Sequence, residues 1–423
     1  MFITYLGAEC GYRWYMYRTL VAADYPVTIA SAPIYDDATP GYYRPHTTFH
    51  WRRFDAQHNL LHECQVAINN RGFISANDYS VDKPAGEFRI ALIGDSLTAC
   101  ITNDTPWADL LEKELNGDAA LKQRLAARTI RVMNFGLAEA GLHKFAINYR
   151  NFASDYSPDF VIVNYIEDDF PREGNANLLL DQPSRATKAA APKDYFAQVQ
   201  EAKIQILGNI TPESYRAYAD PLQIPEASPG FFFVVEDDAV TFDKEKIASI
   251  KREAANRYLS TRLWRSWHPH LLYRALGQPF SLNYADRMFA SLSYNVSDQV
   301  EHALQAIYDI QSRHPQVILL RNPLIQDLDG RVSQQDATRL LEQRAPDLKI
   351  VRMEKYMPLE NGQKDIYTWF NLPHDGHFSN YGVKIYAHAV HQVIAEHFST
   401  TSAGPLPASP TANAGGDATV ERR

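Results

Sequence analysis

A regular exchange of period constrains the fold more than any other feature of this sequence. From Phe88 the apolar run FRIALIGDS ends at a glycine and gives way to Trp107, Leu110, Leu111 and Leu115, which recur at helical spacing. The exchange repeats: apolar segments at 130–136 and 159–165 flank an amphipathic stretch at 142–152. After a long interruption, a helical pattern at 300–312 leads to an apolar segment at 316–324. A helix at 333–343, a short apolar segment at 348–353 and a last helix at 380–397 follow. Strands covered on both faces read as near-continuous apolar runs, and strands joined through helices pair in parallel. The sequence therefore predicts an α/β fold in which a parallel sheet of about five strands carries helices on both faces.

The remainder falls outside this rhythm. Residues 1–85 are rich in Tyr, Pro and His, with short strands expected at 47–53 and 64–69, and read as an irregular, partly β lead-in. Residues 171–295 are of mixed polar sequence, with a hairpin expected at 230–242 and helical patterns at 247–264; they read as an insertion or cap. The α/β domain is accordingly assigned to 86–170 and 296–399. Residues 400–423 are low-complexity Ala, Pro, Gly and Thr and are expected to be disordered.

Composition removes several classes of function. With 45% hydrophobic and 22% charged residues over 423 positions, the chain can bury a large core, which excludes a mainly disordered polypeptide. A net charge of -8 argues against nucleic acid as a partner, because a basic field dominates that affinity. No apolar run reaches the length of about 18 residues that a membrane helix needs, so no integral membrane segment is expected. The start lacks a basic region followed by an apolar one, so no secretory signal is expected; if the visible start is the true one, the location is cytoplasmic. Cys10, Cys64 and Cys100 are too few and too scattered for a disulfide scaffold or a four-thiolate zinc site. Without a P-loop, a glycine-rich dinucleotide turn or an HExxH pattern, no cofactor is expected.

Chemistry concentrates at two places. Gly94-Asp95-Ser96 falls at the carboxyl end of the first strand of the sheet, where ligand crevices of open α/β sheets form. Ser96 there either caps the following helix or stands exposed as a nucleophile beside helix amides that favour developing negative charge. A serine nucleophile needs a base within hydrogen-bond reach and a group that orients the base. Of fourteen histidines, His377 stands out: Asp375-Gly376-His377 forms a loop just after Pro373 and just before the last helix.

Gly94-Asp95-Ser96-Leu97, then Gly136 after the second strand, Asp168-Asp169 after the third and Asp375-Gly376-His377 before the last helix resemble the ordered blocks of the SGNH (GDSL) hydrolases. The preceding stretch, INNRGFISANDYSVDKPAGEFRIALIGDS, is similar to the lead-in of bacterial members associated with cell-surface polysaccharides. The resemblance implies a three-layer, flavodoxin-like fold. It also implies Ser96 as nucleophile, His377 as general base and Asp375 as its orienting acid. The oxyanion hole would comprise the Ser96 amide, the Gly136 amide and the side chain at Asp168. Two departures bear on catalysis. The family usually has Asn where this chain has Asp168; an ionised carboxylate repels the developing charge, and losing one donor costs about 100- to 1000-fold in rate. Asn164, earlier on the same strand, is a candidate replacement or a core residue. One residue rather than two separates the acid from the histidine, and His374 occupies the missing position.

The resemblance thus implies a serine esterase acting through an acyl-enzyme on an O-acyl group of a carbohydrate, located in the periplasm or cell envelope. Its partner would be an ester substrate such as an acylated polysaccharide. Two alternatives stand beside it: an O-acyltransferase acting on a polysaccharide, and a catalytically impaired polysaccharide-binding subunit motivated by Asp168. His388 and His391, three apart on the last helix, and His268 to His270 read as solvated or packing histidines, since no carboxylate or cysteine stands nearby at ligand spacing; no metal site is expected. The acidic stretch at 235–245 lacks EF-hand spacing. The aromatic residues, 24 Tyr, 20 Phe and 6 Trp, are sufficient to line a sugar-stacking cleft but serve more simply as core.

Overall fold

The chain enters its described part through an antiparallel meander of β1 (Val27–Ser31), β2 (Thr48–Phe54) and β3 (Leu60–Ala67). The computed structural model describes residues 42–55, 57–138, 140–170, 296–314, 316–323, 337–357, 366–371 and 376–399, together with short isolated stretches elsewhere. Of the tail expected at 400–423, Thr400 ends the last helix and 401–423 lie outside the described residues, as do 253–264 of the helical patterns expected at 247–264 and His268 to His270.

The α/β rhythm follows. β4 (Glu87–Gly94) leads into the single turn α1 (Ser96–Ala99), α2 (Trp107–Gly117) and α3 (Ala119–Arg124). Next come β5 (Thr129–Gly136), α4 (Leu142–Asn151) and β6 (Phe160–Tyr165). In the intervening segment, β7 (Glu201–Ile204) pairs antiparallel with β1, and β8 (Phe233–Glu236) forms the expected hairpin with β9 (Ala239–Phe242). The chain returns through α5 (Val296–Arg313), β10 (Val317–Arg321), α6 (Ala337–Arg344), β11 (Ile350–Arg352) and α7 (Gly382–Thr400). Neither β1 nor β7 is legible in the sequence, and their pairing joins the lead-in to a strand within 171–295.

The main sheet has the order β11-β10-β6-β4-β5, and every pair is parallel. Numbered by first appearance in this sheet, the strands run 2-1-3-4-5, the flavodoxin-like order. Its consequence is positional: the chain leaves β4 to one side for β5 and to the other for β6, which makes the carboxyl end of β4 the switch point at which ligands of open α/β sheets bind.

Alternation along the strands builds the layers. Ala91, Ile93, Met133, Phe135, Val161 and Val163 face one core with α4 and α5, while Ile90, Leu92, Ile130, Val132, Phe160 and Ile162 face the other with α2 and α7. The lead-in is part of the first core: Phe73 meets Phe135 edge-on at 4.9 Å, the Tyr42 hydroxyl donates to Asn148 Oδ1 at 2.6 Å, and Tyr79 accepts the Asn134 N–H at 2.7 Å. Among the described residues, no helix is long and apolar enough to cross a membrane.

Candidate active site

Where β4 ends, the chain turns in very little space. A Cβ on Gly94 would lie 2.0 Å from Thr98 Oγ1 and 2.4 Å from the Asn164 carbonyl oxygen, so this position admits only glycine. The next residue does the capping: Asp95, buried and extended, accepts the Leu97 N–H at 2.9 Å through Oδ1. That assignment decides between the two readings of Ser96, because the cap of α1 is Asp95 and the Ser96 hydroxyl is left for another partner. The turn closes at Cys100, in the left-handed region at φ 63°.

The partner of Ser96 is His377. Its Nε2 lies 2.8 Å from Ser96 Oγ, across 281 residues of sequence. Ser96 is 9% exposed. With the ring proton on Nδ1, the serine hydroxyl donates to Nε2, the arrangement a general base requires.

Two asparagines hold the histidine loop in place, and sequence reasoning did not single out either one. The Asn371 N–H donates to the His377 carbonyl at 2.8 Å, and its side-chain Nδ2 reaches the carbonyls of Phe378 at 3.0 Å and Thr102 at 3.3 Å. Asn103 donates to the Phe378 carbonyl at 2.7 Å from the opposite side, and its Oδ1 accepts from Cys100 Sγ at 3.3 Å. The loop that follows the Ser96 turn therefore grips the backbone next to His377. Burial pushes the Cys100 thiol up to about 12, so it stays protonated beside Ser96 and is no rival nucleophile.

The expected oxyanion donors fare differently. The Gly136 N–H donates to Asn134 Oδ1 at 2.9 Å, so in this structure it is committed to its own strand end rather than open to a reacting oxygen. A Cβ at Gly136 would lie 2.2 Å from the Ala99 nitrogen; the glycine lets β5 pass against α1. Asn164 is fully buried, donating to Thr98 Oγ1 at 2.8 Å and accepting from the Tyr386 hydroxyl at 2.5 Å, which places it in the core and removes it as a replacement donor. Asp168 is half-buried in the turn Glu167–Asp169 after β6. Its neighbours are engaged: Glu167 accepts from Thr338 Oγ1 at 2.8 Å, and Asp169 from the Ile166 N–H at 2.9 Å. Asp375 and His374 lie outside the described residues.

No family model and no curated protein matches the sequence. Among solved structures, the chain is similar at 12% identity and a TM-score of 0.34 to a two-domain esterase active on acetylated mannans; the match covers 77% of this chain and 54% of that one. The chain thus spans about half the length of that structure. A carbohydrate esterase family 2 enzyme with a carbohydrate-binding domain, from Myceliophthora fergusii, is similar at 13% identity and a TM-score of 0.31, covering 89% of this chain and 92% of that one. An acetyl xylan esterase from the rumen bacterium Butyrivibrio proteoclasticus is similar at 10% identity and a TM-score of 0.30, with 89% of each chain covered.

Proposed function

We propose that the protein is a serine esterase of the SGNH type that cleaves an O-acyl group from a carbohydrate through an acyl-enzyme. The observation that carries this reading is the 2.8 Å contact between Ser96 Oγ and His377 Nε2 at the carboxyl end of β4. In the proposed cycle, Ser96 Oγ attacks the ester carbonyl carbon while His377 Nε2 takes the hydroxyl proton. The tetrahedral intermediate collapses, the ester C–O bond breaks, and the sugar oxygen leaves with the proton that His377 returns. Water, deprotonated by the same nitrogen, then attacks the acyl-enzyme and releases the carboxylic acid. Asp375 is the proposed orienting acid. The Ser96 amide is the oxyanion donor retained in this proposal. The carbohydrate as carrier rests on the likeness of the segment before Ser96 to polysaccharide-associated members of the family.

A second reading, an impaired SGNH fold that binds polysaccharide without cleaving it, is favoured by the commitment of the Gly136 amide to Asn134 and by Asp168 in the third block. Labelling with a fluorophosphonate probe, followed by intact mass and peptide mapping, separates the two. The esterase reading requires one adduct on Ser96 and a fall of at least about 1000-fold in hydrolysis of an acetyl ester in both Ser96→Ala and His377→Ala. Wild-type protein that takes no adduct and matches Ser96→Ala in every ester assay would replace it with the binding reading.

A further inference from the structure

The seam between α2 and α7 brings together side chains that are far apart in sequence. Glu114 on α2 faces His388 and His391 on α7, and one ligand atom from each lies within 4.8 Å of the others. Glu114 Oε2 is 3.2 Å from His388 Nδ1 and 3.4 Å from His391 Nδ1. His391 Nε2 turns the other way, to Asp118 Oδ2 at 3.1 Å. Asp118 is itself fixed, because its Oδ1 accepts the Leu121 N–H at 2.9 Å as the cap of α3.

Counting donors shows what this arrangement lacks. A neutral imidazole has one N–H, yet His391 presents both ring nitrogens to carboxylates; the nitrogen without the proton points a lone pair at a negative oxygen. A cation at one side resolves the conflict. If the His391 proton sits on Nε2 and is donated to Asp118, its Nδ1 is left to share the Glu114 oxygen with His388 Nδ1; Gln392, whose amide is 3.1 Å from His388 Nε2, must then turn its oxygen to accept the His388 Nε2 proton. A carboxylate holding the distal N–H of a liganding histidine is the usual support of a metal centre. Distances agree as well: a tetrahedral ion with bonds of about 2.0–2.1 Å holds its donors about 3.3–3.4 Å apart, close to the two separations from Glu114. Two imidazole nitrogens and one carboxylate oxygen suit Zn²⁺, with water in the fourth position.

We propose that Glu114, His388 and His391 bind a divalent cation of the Zn²⁺ type, with Asp118 orienting His391, and that the ion fastens α2 to α7. These helices follow the elements that carry Ser96 and His377, so the ion would hold the two halves of the candidate site in register. The proposal stands whether or not the protein is an esterase.

Titration of the chelator-treated full chain with Zn²⁺ alone, followed by calorimetry and metal analysis, tests it. The expected result is one equivalent bound and a rise in melting temperature, both lost in the His388→Ala/His391→Ala double variant and in Glu114→Gln. Asp118→Asn should retain the equivalent with affinity lowered about 10- to 100-fold. Co²⁺ in place of Zn²⁺ should give the visible bands of a tetrahedral site in wild type only. His388 is exposed and His391 half-buried, so melting of the metal-free variants establishes that they fold. Absence of binding to the wild type, or an unchanged equivalent in the double variant, would overturn the site.

Discussion

The resemblance to the SGNH hydrolases implies an amide donor at the position of Asp168, whose two acidic neighbours are held by Thr338 and by the Ile166 N–H. If the turn presents this side chain to the reacting centre, Asp168→Asn substitutes a donor for a repelling charge at almost constant volume. Acylation by a fluorophosphonate or an acetyl ester should then quicken by about 100-fold, the low end of what one oxyanion donor supplies. An unchanged rate would mean that the carboxylate points away from Ser96. At this scale the pairing of Ser96 with His377 was legible, because a serine two residues after a glycine at a strand end and a histidine before the last helix are local patterns. Asn103 and Asn371 were not. Their work is to hold carbonyls of residues far away in sequence, and nothing local marks an asparagine for that role. The cation cluster escaped for the same reason: Glu114 and Asp118 meet His388 and His391 only after α2 and α7 pack together.

Among the elements, β5 and β6 were legible almost to the residue, because burial on both faces leaves an unbroken apolar run, whereas β10 (Val317–Arg321) and the half-buried β11 (Ile350–Arg352) are shorter than the expected 316–324 and 348–353. The expected segments at 130–136 and 159–165 correspond to β5 (Thr129–Gly136) and β6 (Phe160–Tyr165). β1 and β7 carry no such signature. Each is short and its partner is distant, so only the assembled sheet defines them. The close approach of β5 to α1 yields a sharper expectation. Gly136→Ala would drive a methyl group into the Ala99 backbone, which cannot swing aside as a side chain can, and should cost about 3 kcal/mol. Gly117→Ala, at the end of α2 with nothing within 4 Å, should be neutral or slightly stabilising. Thermal melts of the two variants check the contrast; equal losses would mean that β5 and α1 are not in contact.

Across the whole molecule, the last helix seals the sheet, and its far end is sensitive to acid. The His397 ring lies 5.0 Å from Phe160 of β6, and its Nδ1 is 2.5 Å from Lys349 Nζ. Desolvation first, and the lysine charge second, pull the imidazole down to about 4. An unfolded chain takes up this proton near pH 6.5, whereas the folded one resists it until about pH 4. The contribution is therefore complete above pH 6.5 and is lost as the pH falls toward 4. Allowing for the ring's partial exposure, it amounts to on the order of 1 kcal/mol. Urea midpoints measured at pH 7 and pH 4.5 should fall less in His397→Gln than in wild type; identical slopes would place the acid sensitivity elsewhere.

The contact between Ser96 and His377 closes a loop of 281 residues, and the sheet cannot be completed until β10 has added to β6 and β11 to β10. Pairings over such separations are entropically expensive to nucleate and are made late. A chain with its first three parallel strands assembled would have the turn that carries Ser96 but not His377 beside it. With Ser96 as the proposed nucleophile, its reactivity would then count finished molecules rather than collapsed ones, sparing a newly made chain from acylation before its last helix has docked.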